Sequence, residues 1–153
     1  MKLFVIRHAK AGSRDAWPAD DELRPVSKAG RRQSSALAAF LANEGITRIV
    51  SSPAARCRQT VEPLAENLRL PVDLSDAIAE GAPLDESLAL VDKVADETAA
   101  LCTHGDVVGN LLWHFERLGV QVGEVRMEKA STWVFDLEAG AVIDARYTPP
   151  PTV

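Results

Sequence analysis

Apolar and polar positions fall in blocks along this chain. Residues 3–6 are an unbroken apolar run, the pattern of a strand buried on both faces. Residues 9–26 are polar and interrupted by Gly12, Pro18 and Pro25, which predicts a long loop. After Ser27, a helix N-cap residue, Ala36, Leu37, Phe40 and Leu41 recur at helical spacing, and residues 43–45 end that helix. Ile49 and Val50 predict a short strand. Ser52-Pro53 then reads as an N-cap and a first-turn proline opening a helix that runs to about Leu68. Beyond Pro71, residues 72–74 suit a short edge strand, 76–84 a loop and 85–95 a helix. Residues 98–103 predict another buried strand, and Val107, Leu111, Leu112 and Phe115 define a helix over 106–118. Residues 131–137 and 141–147, joined by Glu138-Ala139-Gly140, have the pattern of an antiparallel hairpin.

Strands alternating with helices predict an α/β fold: a three-layer sandwich with a mostly parallel central sheet, flanked by helices and extended by an antiparallel C-terminal hairpin. With 153 residues and no repeat or linker, one domain over 1–148 is expected, followed by a proline-rich tail at 149–153. Seventeen basic against 22 acidic residues leave a net charge of -5, which disfavours nucleic acid as a partner. No apolar run approaches membrane-spanning length, so no membrane partner is expected and the location reads as cytoplasmic. Cys57 and Cys102 lack metal-like spacing and read as reduced packing residues. Trp113 and Trp133 read as core, Trp17 as a residue of the pocket mouth or of the loop packing, and His114 as structural or exposed.

In such sheets chemistry collects beyond the carboxyl ends of the strands, at a switch in strand order. The first strand ends in Arg7-His8, the buried strand near residue 100 ends in His104-Gly105-Asp106, and Arg56 lies in the first turn of the second helix. Guanidinium forks match phosphoryl oxygens, and neutral imidazole attacks phosphorus. A second histidine and the amides after Gly105 can hold a transferring phosphoryl group, with no metal or cofactor needed. A single histidine at a strand end is more often structural, and a first-turn arginine is usually a solvated charge; their joint occurrence shifts the balance towards function. Lys10 and Arg14, in the loop after His8, are placed to contact the substrate but read first as solvated charges.

These residues resemble the motifs of the histidine phosphatase (phosphoglycerate-mutase-like) superfamily. Arg7-His8-Ala9 stands for its Arg-His-Gly, and Ser52, Pro53, Arg56, Gln59 and Thr60 match Ser-Pro-x-x-Arg-x-x-Gln-Thr. Thr103-His104-Gly105 matches the late His-Gly motif. The resemblance implies a phosphoglycerate-mutase-like fold, phosphorylation of His8, and a phosphoryl group held by Arg7, Arg56, His104 and Gly105. It also implies a proton donor between the second and third motifs, where Glu80 lies, with Asp106 in reserve. Ala9 departs from the family glycine. Arg7-His8-Ala9-Lys10 and the small size resemble the SixA-like branch, which implies a protein phosphohistidine phosphatase; the larger insertions of the mutases have no counterpart. Residues 56–64 and 129–134 also resemble the phosphatase-like domain of actinobacterial MutT-type Nudix proteins, which makes a nucleotide or other small phosphomonoester the competing substrate. The expected partner is a phosphorylated molecule, either a phosphoprotein or a small phosphate ester. A non-catalytic module recognising phosphate is the further alternative.

Overall fold

In a computed structural model describing all 153 residues, the first apolar run forms β1 (Lys2–Arg7) at an interior position of a six-stranded sheet. The other strands are β2 (Arg48–Ser51), β3 (Val72–Leu74), β4 (Ala99–Thr103), β5 (Thr132–Glu138) and β6 (Ala141–Thr148). Their order is β3-β2-β4-β1-β5-β6. The first four run parallel, and β5 and β6 add the antiparallel hairpin next to β1. Four helices complete the layers: α1 (Lys28–Leu41), α2 (Ala55–Leu68), α3 (Leu84–Lys93) and α4 (Gly105–Arg117). The expected α/β architecture is the one observed.

Both faces of the sheet are covered, which explains the continuous apolar runs. Phe4, Ile6, Ile49, Ala100 and Cys102 pack with Leu37, Leu41, Val61 and Leu64 of α1 and α2. Leu3, Val5, Val50 and Leu101 pack with Leu90, Val91, Leu111 and Leu112 of α3 and α4. The helix after β1 thus lies on one face and the helix after the adjacent β4 on the other. That divergence opens a crevice at the carboxyl ends of β1 and β4, the switch point of the sheet. Register finishes the placement: Arg7 pairs with Thr103, so His8 and His104 emerge side by side.

Two local expectations fail. The helix after the second strand starts at Ala55, with Ala54 as its cap and no side-chain cap bond, so Pro53 lies ahead of the first turn. Ser52 is buried and bonded elsewhere. Trp113 is 55% exposed rather than core, because it lies off the α4 stripe of Val107, Leu111 and Phe115; the guanidinium of Arg117 covers its ring at 4.8 Å. Trp133 is buried as expected, and His114 is half-buried, set edge-on against Phe115.

The loop after β1 holds only the 3-10 turn Asp21–Leu23 and a single antiparallel bridge between Ala11 and Val26, and is otherwise shaped by α1 and α2. Lys10 N donates to Gln33 Oε1 and Val26 N to Gln59 Oε1, both at 2.9 Å. Ala9 N donates to Thr60 Oγ1 at 2.9 Å, and that hydroxyl donates to Arg56 O. Gln59 and Thr60 of the second motif therefore fasten the first. Gly30 closes the arrangement, since a Cβ there would collide with the Lys10 carbonyl and touch Val26. We expect Gly30→Ala to destabilise the protein by about 1–3 kcal/mol, read as a lower urea midpoint, because backbone must move to admit the methyl group. An unchanged midpoint would show that the Lys10 turn is free to shift.

Candidate active site

His8 is 6% exposed, and its Nδ1 lies 2.8 Å from the carbonyl oxygen of its neighbour Ala9. A carbonyl only accepts, so the imidazole proton belongs on Nδ1 and Nε2 keeps its lone pair. Burial, followed by the charges of His104, Arg56 and Arg7, pushes the His8 pKa down to about 3, against a raising effect of the Ala9 hydrogen bond. His8 is therefore neutral at physiological pH, the state a nucleophile requires.

His104 stands edge-on to it, with ring centroids 5.5 Å apart. Its Nε2 meets Ser52 Oγ at 2.8 Å and Cys57 Sγ at 3.5 Å, while its buried Nδ1 has no partner. Ser52 Oγ also accepts from Ala54 N at 3.3 Å, which leaves its hydroxyl proton to donate to Nε2. In neutral His104 the ring proton then sits on the unpartnered Nδ1, ready to donate to an anion. Removing the hydroxyl in Ser52→Ala frees the tautomer. We expect kcat to fall about 5- to 30-fold, the equivalent of roughly 1–2 kcal/mol, with partial recovery in Ser52→Thr. Unchanged kcat in Ser52→Ala would show that Ser52 does not orient His104.

Arg7 donates from Nη1 to Met127 O at 2.8 Å, and its buried Nε is unpartnered. A Cβ on Gly105 would lie 3.2 Å from the Arg7 guanidinium, so the glycine of the late motif makes room for that arginine. Arg56 is 1% exposed and donates from Nη1 to Asp21 O at 2.8 Å. Its Nη2 lies 3.1 Å from Asp21 Oδ2 and 3.4 Å from Glu80 Oε2, and its Nε too lacks a partner. Buried guanidinium nitrogens and an imidazole nitrogen without acceptors are donors suited to an oxyanion.

Arg7, His8, Glu80, His104 and Gly105 line one cleft of about 490 Å³. Arg56 faces an adjoining cleft of about 260 Å³, which shares Glu80 and His104 with the first. Every site residue expected from the sequence thus meets at this crevice. Glu80 is exposed, with Oε1 2.9 Å from Arg14 Nη2. The Arg14 hydrogen bond, ahead of the nearby positive charges, holds its carboxyl below the usual range, so the resting group is a carboxylate. Asp106 accepts from Gly81 N at 2.7 Å and so ties down the loop carrying Glu80.

Several residues here have a part in the site that the sequence did not give them. Arg14 reads there as solvated, yet it pairs with Glu80 and, at 3.3 Å, with Asp21. Buried Arg24 donates to Gly12 O and pairs with Asp21 at 2.9 Å. Lys129 lines the cleft from the far side of β1, just before β5. The signal for Ser52 is present, a serine next to proline, but it points equally to a helix cap. Trp17 donates to Asp20 O at 2.8 Å and lies beside Pro25 in an adjoining depression, so it packs the loop. Lys10 is exposed, and both cysteines are buried and free.

A model of the histidine phosphatase superfamily (branch 1) matches residues 3–83, more than half of the chain. The chain belongs to that superfamily. This histidine phosphatase is also 35% identical, over 162 aligned residues, to an 8-oxo-(d)GTP phosphatase of Mycolicibacterium smegmatis. The alignment covers 97% of the present chain and 48% of that protein, so the chain spans about half the length of this relative. Among solved structures, the protein histidine phosphatase SixA complexed with tungstate superposes with a TM-score of 0.79 at 19% identity, covering 99% of this chain and 97% of SixA. A mycobacterial glucosyl-3-phosphoglycerate phosphatase gives a TM-score of 0.71 at 19% identity, covering 95% of this chain and 96% of that one. At such identities these structures establish the shared fold. No helix is long and apolar enough to cross a membrane.

Proposed function

We propose that this histidine phosphatase hydrolyses its substrate through a phosphohistidine formed on His8. The observation that carries this reading is the state of that ring: buried, neutral, with Nδ1 occupied by Ala9 O and Nε2 left to the cleft. In the first step Nε2 bonds to phosphorus as the bond to the leaving group breaks. Arg7, Arg56 and Nδ1 of His104 take up the charge on the equatorial oxygens. In the second step water attacks the phosphohistidine, the carboxylate of Glu80 receives its proton, and phosphate and neutral His8 are released. To act first as an acid, Glu80 must gain a proton, which an entering phosphate dianion favours by its like charge.

Guanidinium and imidazole donors supply the charge stabilisation in this scheme, so no metal or cofactor takes part. The SixA-like fold supports a protein phosphohistidine as substrate, whereas the longer relative, an 8-oxo-(d)GTP phosphatase, supports a nucleotide. A phosphohistidine-bearing protein, nucleotides and sugar phosphates compared side by side, with a chelator present throughout, test the proposal. Turnover of at least one of these, undiminished by the chelator, is expected. Abolition by chelation would contradict the metal-free scheme, and phosphate binding without turnover on any of them would identify a recognition module instead.

A further inference from the structure

Most cations around the cleft are accounted for. Arg14 pairs with Glu80 and Asp21, Arg24 with Asp21, Arg56 with Asp21 and Glu80, and Arg7 donates to Met127 O. Among the cations that line it, Lys129 is the exception. It is half-buried in the cleft wall, and its ammonium forms no ion pair or hydrogen bond. Burial and the charges of Arg7, Arg24, Arg56 and Lys10 all lower its pKa. The backbone beside it is anchored. The amide of Ala130 donates to both Arg7 O and His8 O, at 3.0 and 3.1 Å. Fully buried Ala130 holds a φ of 69°, which costs a non-glycine residue of order 1 kcal/mol. The backbone that carries Lys129 is thus tied to the end of β1, and an anion bound in the cleft that Lys129 shares with His8 would pair with its ammonium.

The other side of the cleft narrows the chemistry. Glu80 is held as a carboxylate by Arg14 and Arg56, so it must first take up a proton before it can assist an alkoxide leaving group. A leaving group that departs as a stable anion needs no such assistance, whereas an alkoxide does. We propose that the cleft takes substrates in which the transferred phosphoryl group is joined by an anhydride to a second phosphate, as in a nucleoside diphosphate, and that Lys129 holds that second phosphate. This builds on His8 as the phosphoryl acceptor. The Nε2–P bond forms as the bridging O–P bond breaks, and the bridging oxygen leaves with the electron pair on the second phosphate, facing Lys129. Water then replaces Nε2 at phosphorus and gives a proton to Glu80, so the products are a nucleoside monophosphate and inorganic phosphate.

ADP, AMP and 4-nitrophenyl phosphate as substrates separate the parts. The nitrophenyl ester has a good leaving group but a single phosphate; AMP has a single phosphate and an alkoxide leaving group. The wild type should turn over ADP faster than AMP. In Lys129→Met, the ratio of kcat/KM for ADP to that for 4-nitrophenyl phosphate should fall at least tenfold, and Lys129→Arg should restore most of it. On the wild type alone, methylenediphosphonate should inhibit at least ten times more tightly than methylphosphonate, a comparison independent of how any variant folds. An unchanged substrate ratio, or equal inhibition by the two phosphonates, would overturn the role of Lys129. Undiminished hydrolysis of 4-nitrophenyl phosphate by His8→Ala would instead overturn the phosphohistidine reading on which it builds.

Discussion

His8→Ala should lose turnover by a factor on the order of 10⁴ to 10⁶ while keeping its fold, because removal of a covalent nucleophile leaves only binding and charge stabilisation. The substitution removes a buried side chain whose one hydrogen bond is to its neighbour Ala9, so a thermal melt close to wild type should accompany the loss. The same residue sets a pH expectation. A histidine with the ordinary pKa near 6.5 would be almost wholly protonated at pH 5 and unable to attack. Burial first, and the charges of His104, Arg56 and Arg7 after it, place His8 at about 3 instead. The sign follows: the neutral form persists as pH falls from 7 towards 4, and protonation sets in only below that. With 4-nitrophenyl phosphate, kcat/KM should therefore show no His8-dependent fall between pH 7 and 5. A fall with a midpoint near 6.5 would mean that the ring is solvated in the working enzyme.

Arg56→Ala should lower kcat/KM by about 10²–10³, the usual cost of one preorganised donor to a transition-state oxyanion. Arg56→Lys should recover little, since an ammonium keeps the charge but loses the planar fork. Two effects compound in the alanine variant. A donor to the phosphoryl group disappears, and Asp21 and Glu80 lose the guanidinium that lies between them. Glu80 would then take up a proton more readily, which raises its value as an acid and lowers it as a base. Activity of either variant within tenfold of wild type would show that Arg56 serves the loop carrying Asp21 rather than the reacting group.

The sheet and the strand-end residues were legible because each depends on local pattern. Residues 3–6 are apolar without interruption since both faces of β1 are covered, and the run stops where the strand reaches the crevice. The partners of Arg7, Arg56 and Glu80 were not legible. The loop over 9–26 has no periodicity, and its path is set by long-range bonds to Gln33, Gln59 and Thr60. Asp21, Arg14 and Arg24 meet the site only through that path. Ser52 was misplaced for another reason: a serine before proline is good helix-cap chemistry, but the bond to His104 and its burial prevailed over the local preference. Lys129 lies in the segment 129–134 noted for its resemblance, but nothing in the sequence placed it in the cleft. Its position follows from the attachment of Ala130 to Arg7 and His8.

The most direct measurement is to quench the enzyme during turnover and locate the phosphate on the denatured chain. One acid-labile, base-stable phosphate on His8, absent from His8→Ala and lost on a chase with unlabelled substrate at the rate of turnover, is the predicted result. Full turnover with no phosphate on His8 at any quench time, or with phosphate on another residue, would contradict it.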